Sequence, residues 1–456
     1  MSHIKFESML KTNSIYFFDL VEFEEIIIHY LDVGKISLAK KALQLGLEQH
    51  PTSVDLKLLQ VELYLTDNEV DKASKLLKRI ALISPNNDEV YIQKATIASK
   101  KGLHKEAIVY LEKALTLTNE PFDIWSLLGM EFLYLDNFEE ARINFEKCVA
   151  EDLEDYAALY NIVYCFDIEE KHNEAITYLT AYVDKNPYCE VAWHQIGRQY
   201  FILKRYHKAL QAFDYAVLID ETFIGGYLEK AKTLEQLGNY KEAIDNYLIS
   251  LELGDPTSFA YVRVGECYQK LGQLDTAITY YKKAIHEDPL LDKGWILLTN
   301  IYADQKKYQK ALYYLSKAIE IEDDNALYWK RYAEINLKLS FFEEAIVGFS
   351  NCLQLGDISL EIYIGLADVL IFLGEFKEAL RIIFEAYKSC GNLAEISYRF
   401  AGLFSILNKE RYAKTHLISG LETDFDYHIV LQELFPSLSE KSNFKKIIAT
   451  FKKANE

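Results

Sequence analysis

The chain has 456 residues, half of them hydrophobic, and its 50 Lys and Arg stand against 69 Asp and Glu for a net charge of −19. The apolar fraction excludes wholesale disorder, and the acidic balance opposes nucleic acid or an anionic membrane as the main partner, since phosphate binding draws on an excess of Lys and Arg. Six scattered cysteines with no C-x-x-C pair form neither a zinc framework nor a disulfide-dense secreted domain.

Residues 1–19 hold no apolar run of signal-peptide length and match nothing that follows, so an N-terminal extension or cap is expected there. From residue 20 to residue 427 a period of 34 takes over. Alanine recurs at Ala39, Ala73, Ala107, Ala141, Ala175, Ala209, Ala243, Ala277, Ala311, Ala345, Ala379 and Ala413, twelve times without an insertion or deletion. Sixteen residues earlier stand aromatics such as Phe23, Tyr91, Trp125, Trp193, Trp295 and Trp329, so all four tryptophans share one place. Four residues after that aromatic a small residue is common (Ala95, Gly129, Gly197, Gly265), and four after the alanine a bulky one (Phe145, Phe213, Tyr281, Phe349).

These spacings are helical, and each repeat predicts two amphipathic helices. Turn signals such as Gly34, Gly102, Gly238, Gly272 and Gly374 fall between them. Pro51, Pro85, Pro187 and Pro289 close repeats, Pro121 and Pro256 lie within two residues of that place, and no proline interrupts a helix interior. The alanine lets the second helix approach the first, and aromatics fill the wedge beside it. One such pair cannot bury its own face, so the repeats must stack. Beyond Pro436, Phe444, Ile447, Ile448 and Phe451 make an apolar stripe ringed by Lys441, Lys445, Lys446, Lys452 and Lys453. Residues 428–456 are expected to cap the last repeat, with a basic membrane-surface helix or a groove-binding tail as alternatives.

The pattern W…LG…Y…A…F…A…P, seen for example as Trp193, Ile196, Gly197, Tyr200, Ala209, Phe213 and Ala216, resembles the tetratricopeptide repeat. Departures are local: Lys57 and Ser397 replace the first aromatic, and Asn336 the second. The resemblance implies an all-α fold, a right-handed superhelical α-solenoid of helix-turn-helix repeats. Pentatricopeptide arrays, which step by 35 and bind RNA, would drift out of this frame. The resemblance further implies that first helices line a concave groove, with their second, fifth, sixth, ninth, twelfth and thirteenth places facing a ligand.

No catalytic, metal or cofactor motif occurs: there is no G-x-x-x-x-G-K-[ST] and no H-E-x-x-H. Catalytic residues, metals and cofactors are all expected to be none. His104 and His172 fall at turns, where solvent is the expected partner, and Cys148 and Cys352 sit at a small-residue packing place. Glu139–Glu140 and Glu343–Glu344 start second helices and complement their dipoles.

Function is therefore expected in a surface. In the implied register the first four repeats carry Glu24, Glu25, Asp32, Asp55, Glu62, Glu89 and Asp123 against Lys100. Repeats six to ten carry Arg198, Lys232, Arg263, Lys270, Lys293, Lys330, Arg331 and Lys338 against Glu229, Glu235, Glu266, Asp304 and Glu334. Between lie Tyr134, Tyr160, Asn161, Tyr164, His194 and Phe201. The expectation is a cytoplasmic, non-enzymatic protein-interaction module holding an extended peptide or protein with an acidic segment. Tyr160, Tyr164 and His194 would give flat contact area, Tyr134 would lie beside them, and Asn161 would hold the ligand backbone. Arg198, Lys232, Arg263, Lys330 and Arg331 would pair its carboxylates. The terminal-carboxylate clamp of family co-chaperones is not expected: Asn161 matches one element, but Ser126, Met130, Val191 and Gln195 flank it. The alternative is a multi-protein or self-associating scaffold using convex or end surfaces. No nucleic acid and no membrane span are expected.

Overall fold

The computed structural model describes residues 2–12, 16–254, 257–439 and 442–455. Pro256 and Lys441 lie outside the described residues, as does the side chain of Lys453. The described chain is helical, and it divides into two compact units, Met1–Gly226 and Tyr227–Glu456.

Helix α1 (Ser2–Thr12) precedes twelve helix pairs. In the first unit these are α2 (Leu20–Asp32) with α3 (Ile36–Gln49), α4 (Val54–Thr66) with α5 (Val70–Ile83), α6 (Asp88–Lys100) with α7 (His104–Leu115), and α8 (Phe122–Tyr134) with α9 (Phe138–Glu151). Helices α10 (Tyr156–Ile168), α11 (His172–Lys185), α12 (Glu190–Ile202) and α13 (Tyr206–Ile219) follow, and α14 (Ile224–Gln236) contains the division between units. The second unit continues through α15 (Tyr240–Leu253), α16 (Ser258–Lys270), α17 (Leu274–Glu287), α18 (Asp292–Asp304), α19 (Tyr308–Ile321), α20 (Ala326–Lys338) and α21 (Phe342–Gln354). It ends with α22 (Leu360–Phe372), α23 (Phe376–Cys390), α24 (Ala394–Ile406), α25 (Glu410–Thr423), a 3-10 turn (Asp426–Ile429), α26 (Val430–Leu434), α27 (Pro436–Ser439) and α28 (Ser442–Asn455). First helices and second helices each begin every 34 residues, from 20 and from 36.

Both ends of the first helix are set locally. Asp19 accepts the Glu22 amide at 2.8 Å while its own amide donates to Glu22 Oε2 at 3.1 Å, a capping box. Ser53, Asn87, Asp155, Cys189, Thr257 and Asn325 cap equivalent starts with a side-chain acceptor. At the other end the chain turns through one residue of positive φ in every repeat, from Gly34 (φ 69) to Asn408 (φ 57). The Gly34 and Lys35 amides donate back to Leu31 and Tyr30 carbonyls, closing a Schellman motif. Seven of these left-handed places hold a residue other than glycine, among them Glu170, Lys204 and Lys306.

The core forms where the small residues sit. All twelve periodic alanines are fully buried. Gly129, Gly197 and Gly265 lie under Phe145, Phe213 and Tyr281, so close that a Cβ would stand 2.6, 2.5 and 2.4 Å from ring carbons. The tryptophans are only half-buried. The indole N–H groups of Trp193, Trp295 and Trp329 donate to the carbonyls of Pro187, Pro289 and Asp323, six residues upstream, which ties the inter-repeat turn to the helix after it. Within each unit second helices also pack on the first helix that follows, as α3 does on α4 and α19 on α20, so burial continues through each stack.

At the N-terminus Phe6, Met9 and Phe18 are buried with Phe23 and Tyr30. At the other end Phe444 is buried, and Ile447, Ile448 and Phe451 pack against the core of α22–α25. The apolar stripe of α28 therefore faces protein, with Lys445, Lys446 and Lys452 exposed around it.

Candidate functional site

In the first unit the expected aromatic and amide residues lie on consecutive first helices. Tyr160 and Tyr164, one turn apart on α10, are 43% and 51% exposed, and Asn161 beside them is half-buried. Tyr134, at the end of α8, is also exposed, with its ring stacked on His104 at 4.8 Å. His194 on α12 is not displayed in this way: its ring packs against Phe213 and edge-on to Phe223, at 5.7 and 5.2 Å. Arg198, one turn further, donates to Gln195 Oε1 at 3.2 Å and makes no ion pair among the described residues.

The histidines at the turns have protein partners rather than solvent. His104 Nδ1 meets Glu131 Oε2 at 2.9 Å, and His172 Nδ1 meets Gln199 Oε1 at 2.8 Å. Each joins the start of a second helix to the first helix of the next repeat. The six cysteines are free, five of them buried, and burial pushes the Cys148, Cys165 and Cys352 thiols up to about 11, with Cys267 at about 12. Such thiols are poor nucleophiles. Among the described residues no group of three or more His, Cys, Asp or Glu is placed to hold a metal ion, and no helix is long and apolar enough to cross a membrane.

In the second unit the four cations expected to pair a ligand's carboxylates already have partners. Lys232 reaches Glu229 at 2.7 Å and lies over the Phe259 ring. Arg263 bonds Glu235, Glu266 at 2.7 Å and the Tyr247 hydroxyl at 3.4 Å. Burial opposes the Arg263 charge, but Tyr247, Glu235 and Glu266 more than offset it, so its pKa is raised. Lys330 pairs with Glu361 at 2.5 Å, and Arg331 with Glu334 at 3.2 Å. Arg331 borders a cleft with Asp304, Tyr308 and Lys338, where its Nε is buried without an acceptor. The sequence does carry this signal: Lys232–Glu229, Arg263–Glu266 and Arg331–Glu334 are three residues apart, the spacing of helix-surface ion pairs.

The face formed by α22 and α24 is closed. Arg399, 2% exposed, makes two hydrogen bonds of 2.6 Å to the Asp368 carboxylate and one of 3.2 Å to the Tyr427 hydroxyl. The 3-10 turn and α26 lie on these first helices, and Phe435 covers Gly402. Arg399 and Asp368 hold the sixth and ninth places of their helices, which the groove register assigns to a ligand; here the chain's own C-terminal segment occupies the position. Counting groove charges along the sequence passes over this contact, because nothing in the periodic frame marks Tyr427.

Four family models described as tetratricopeptide repeat match the chain, at residues 30–97, 88–121 with 224–253, 126–188, and 258–289. A TPR repeat-containing protein of Methanocaldococcus jannaschii is 22% identical over 398 residues, 81% of this chain and 68% of the relative. The BBSome complex member BBS4 of Bos taurus is 22% identical over 371 residues, 80% of this chain and 70% of its own. Among solved structures, the C-terminal part of a TPR repeat-containing protein from Cytophaga hutchinsonii has a TM-score of 0.44 at 15% identity, covering 51% of this chain and 95% of that one.

Proposed function

Because the chain belongs to the tetratricopeptide repeat family, we propose that it is a non-enzymatic protein-interaction module of the cytoplasm, whose first helices hold an extended peptide or protein segment. The observation that carries this reading is the α10 face in the first unit, where Tyr160 and Tyr164 stand exposed one turn apart beside Asn161. Exposed tyrosines on a rigid helix give large contact area at low entropic cost, and aromatic anchors dominate interface energetics. Membership of a named complex in the bovine relative supports the same class of role. Free, buried thiols suit a reducing compartment. Residues 1–19 and 428–456 act as caps in this proposal.

An acidic ligand segment would have to displace Glu229, Glu266, Glu334 and Glu361 from the cations of the second unit. Exchanging one carboxylate for another yields little net energy, so the tyrosines matter more than the cations. The test is affinity capture followed by binding measurements on the captured partner. Tyr160→Ala with Tyr164→Ala is expected to weaken binding at least tenfold, whereas Arg198→Glu with Arg331→Glu is expected to weaken it less. Unchanged affinity in the tyrosine variant would reject this face.

A scaffold that uses end or convex surfaces is the second reading. Its support is the exposure of Leu82, Tyr188, Leu218, Leu290 and Leu327, all at least 70% accessible. Sedimentation at several protein concentrations separates self-association from capture of a ligand by a monomer.

A further inference from the structure

Lys232, Arg263, Lys330 and Arg331 are neutralised in place, whereas no ion pair among the described residues reaches Glu24, Asp55, Glu62 or Glu89 of the first repeats. Glu24 on α2, Asp55 and Glu62 on α4, and Glu89 on α6 line one open cleft, floored by Ile28, Leu58 and Leu59. The ion pairs formed on these repeats engage Glu22, Asp67 and Glu69 instead. Glu24 Oε1 is buried without a donor.

An independent sign comes from Gln93, one turn beyond Glu89 on α6. Its side chain is 7% exposed, its Nε2 donates to Glu89 Oε1 at 2.8 Å, and its Oε1 is a buried acceptor with no partner. Reversing the amide would set its oxygen against the Glu89 carboxylate, so the orphan acceptor is a consequence of that contact. Burying an acceptor without a donor is costly. An N–H donor entering beside Glu89 would satisfy this group.

We propose that this cleft binds the Lys or Arg side chains of a basic, extended peptide segment, with cationic heads on Glu24, Asp55, Glu62 and Glu89 and aliphatic stems on Ile28, Leu58 and Leu59. Long basic side chains combine a charged donor head with a stem that covers apolar surface, which is the lining found here. Burial raises the carboxyl groups of Glu24, Glu62 and Glu89, reinforced at Glu24 by Asp55 and at Glu62 by Glu89 and Asp32. At Glu89 the Gln93 hydrogen bond pulls down against burial, and Asp88 and Asp123 add to the rise. An entering cation would relieve that mutual repulsion. The site is distinct from the α10 tyrosine face, so either can fail alone.

The test is fluorescence anisotropy on the full chain, with a labelled decapeptide of alternating Arg and Ala as probe and an alternating Glu–Ala decapeptide as its counterpart. The Arg peptide is expected to bind and the Glu peptide not to. Glu24→Gln, Glu62→Gln and Glu89→Gln together are expected to lower affinity at least tenfold and to flatten its salt dependence. Neutralising three exposed carboxylates elsewhere in the first unit, Glu139→Gln, Glu140→Gln and Glu174→Gln, is expected to change affinity less than twofold. Ile28→Lys, which brings an internal ammonium into the cleft, is expected to reproduce the loss without removing any carboxylate. Equal loss in the two triple variants would reduce the binding to diffuse attraction by a chain of net charge −19 and overturn the proposal. So would an Arg peptide that does not bind the wild type, or an Ile28→Lys chain that binds it as well as the wild type does.

Discussion

Replacing Gly197 by alanine separates helix propensity from packing. In an open helix interior Ala is favoured over Gly by about 0.8–1 kcal/mol. At Gly197 the new methyl would stand 2.5 Å from Phe213 Cε1, where unstrained carbon contacts lie near 3.5–4 Å. Phe213 is fully buried, so it cannot swing into solvent, and α12 and α13 must part by about 1 Å. Overpacking of this kind costs about 1–3 kcal/mol. Set against the propensity gain, the variant is expected to lose up to about 2 kcal/mol.

Repeat arrays need not unfold in one step, so a local probe is required. Trp193 lies one turn before Gly197 on α12 and contacts Tyr215 of α13, so in a background with Trp125, Trp295 and Trp329 replaced by Phe its fluorescence during urea unfolding reports on this pair. Gly225→Ala is the control, because its Cβ would meet nothing closer than 3.5 Å. A Gly197→Ala chain more stable than wild type by about 1 kcal/mol would refute the close-approach account of this small-residue place.

Three further predictions concern the turns, the acidic cleft and the closed end. Lys204→Gly and Lys306→Gly relieve left-handed backbone strain of about 1–2 kcal/mol while adding unfolded-state entropy, so each is expected to stabilise by about 0.5–1 kcal/mol in chemical denaturation. Glu62 is raised by burial, Glu89 and Asp32, so the folded chain holds its proton more tightly than the unfolded one. The stability this confers is present at acid pH and lost as pH rises through the folded value. Glu62→Gln should accordingly raise the thermal midpoint at neutral pH and lose that advantage near pH 4, as differential scanning calorimetry across pH would show. Arg399→Met strands Asp368 and is expected to cost about 3 kcal/mol, whereas Arg399→Met with Asp368→Leu should recover most of it. Equal losses in those two variants would mean that the pair is not what matters there.

Helix positions were legible because the steric rule repeats: alanine where backbones approach, aromatics beside it, a turn fourteen residues after each first helix begins. The turn itself was only partly legible. Gly34 and Gly102 announce a left-handed residue, but Glu170, Lys204 and Lys306 adopt it because the Schellman hydrogen bonds and the stacked neighbours impose it. The tryptophans share one place, as their spacing implies, yet that place is the half-buried margin where an indole N–H can reach a turn carbonyl. For the candidate site, the helix that carries each residue was legible, but side-chain exposure, as at His194, and charge availability were not. A count of cations says nothing of whether Glu266 reaches Arg263 and Lys293 or leaves them free.

The same register position can therefore serve opposite ends. On α24 and α22 the sixth and ninth places hold Arg399 and Asp368, which neutralise each other, with Arg399 buried and bonded to Tyr427. On α6 and α4 the sixth and ninth places hold Gln93 and Glu62, where the amide lacks a donor and the carboxylate lacks a cation. The helices differ little in backbone geometry, so the difference lies in which opposite charge the neighbouring repeat supplies and in whether a terminal segment folds over the face. Among the described residues no ion pair reaches Glu24, Asp55, Glu62 or Glu89, and α1 packs on α2 through Phe6 against Tyr30, leaving the cleft lined by these carboxylates open. The acceptors of Glu24 and Gln93 stay unmet among the described residues, and a partner rich in Lys or Arg is the chemistry that would complete them.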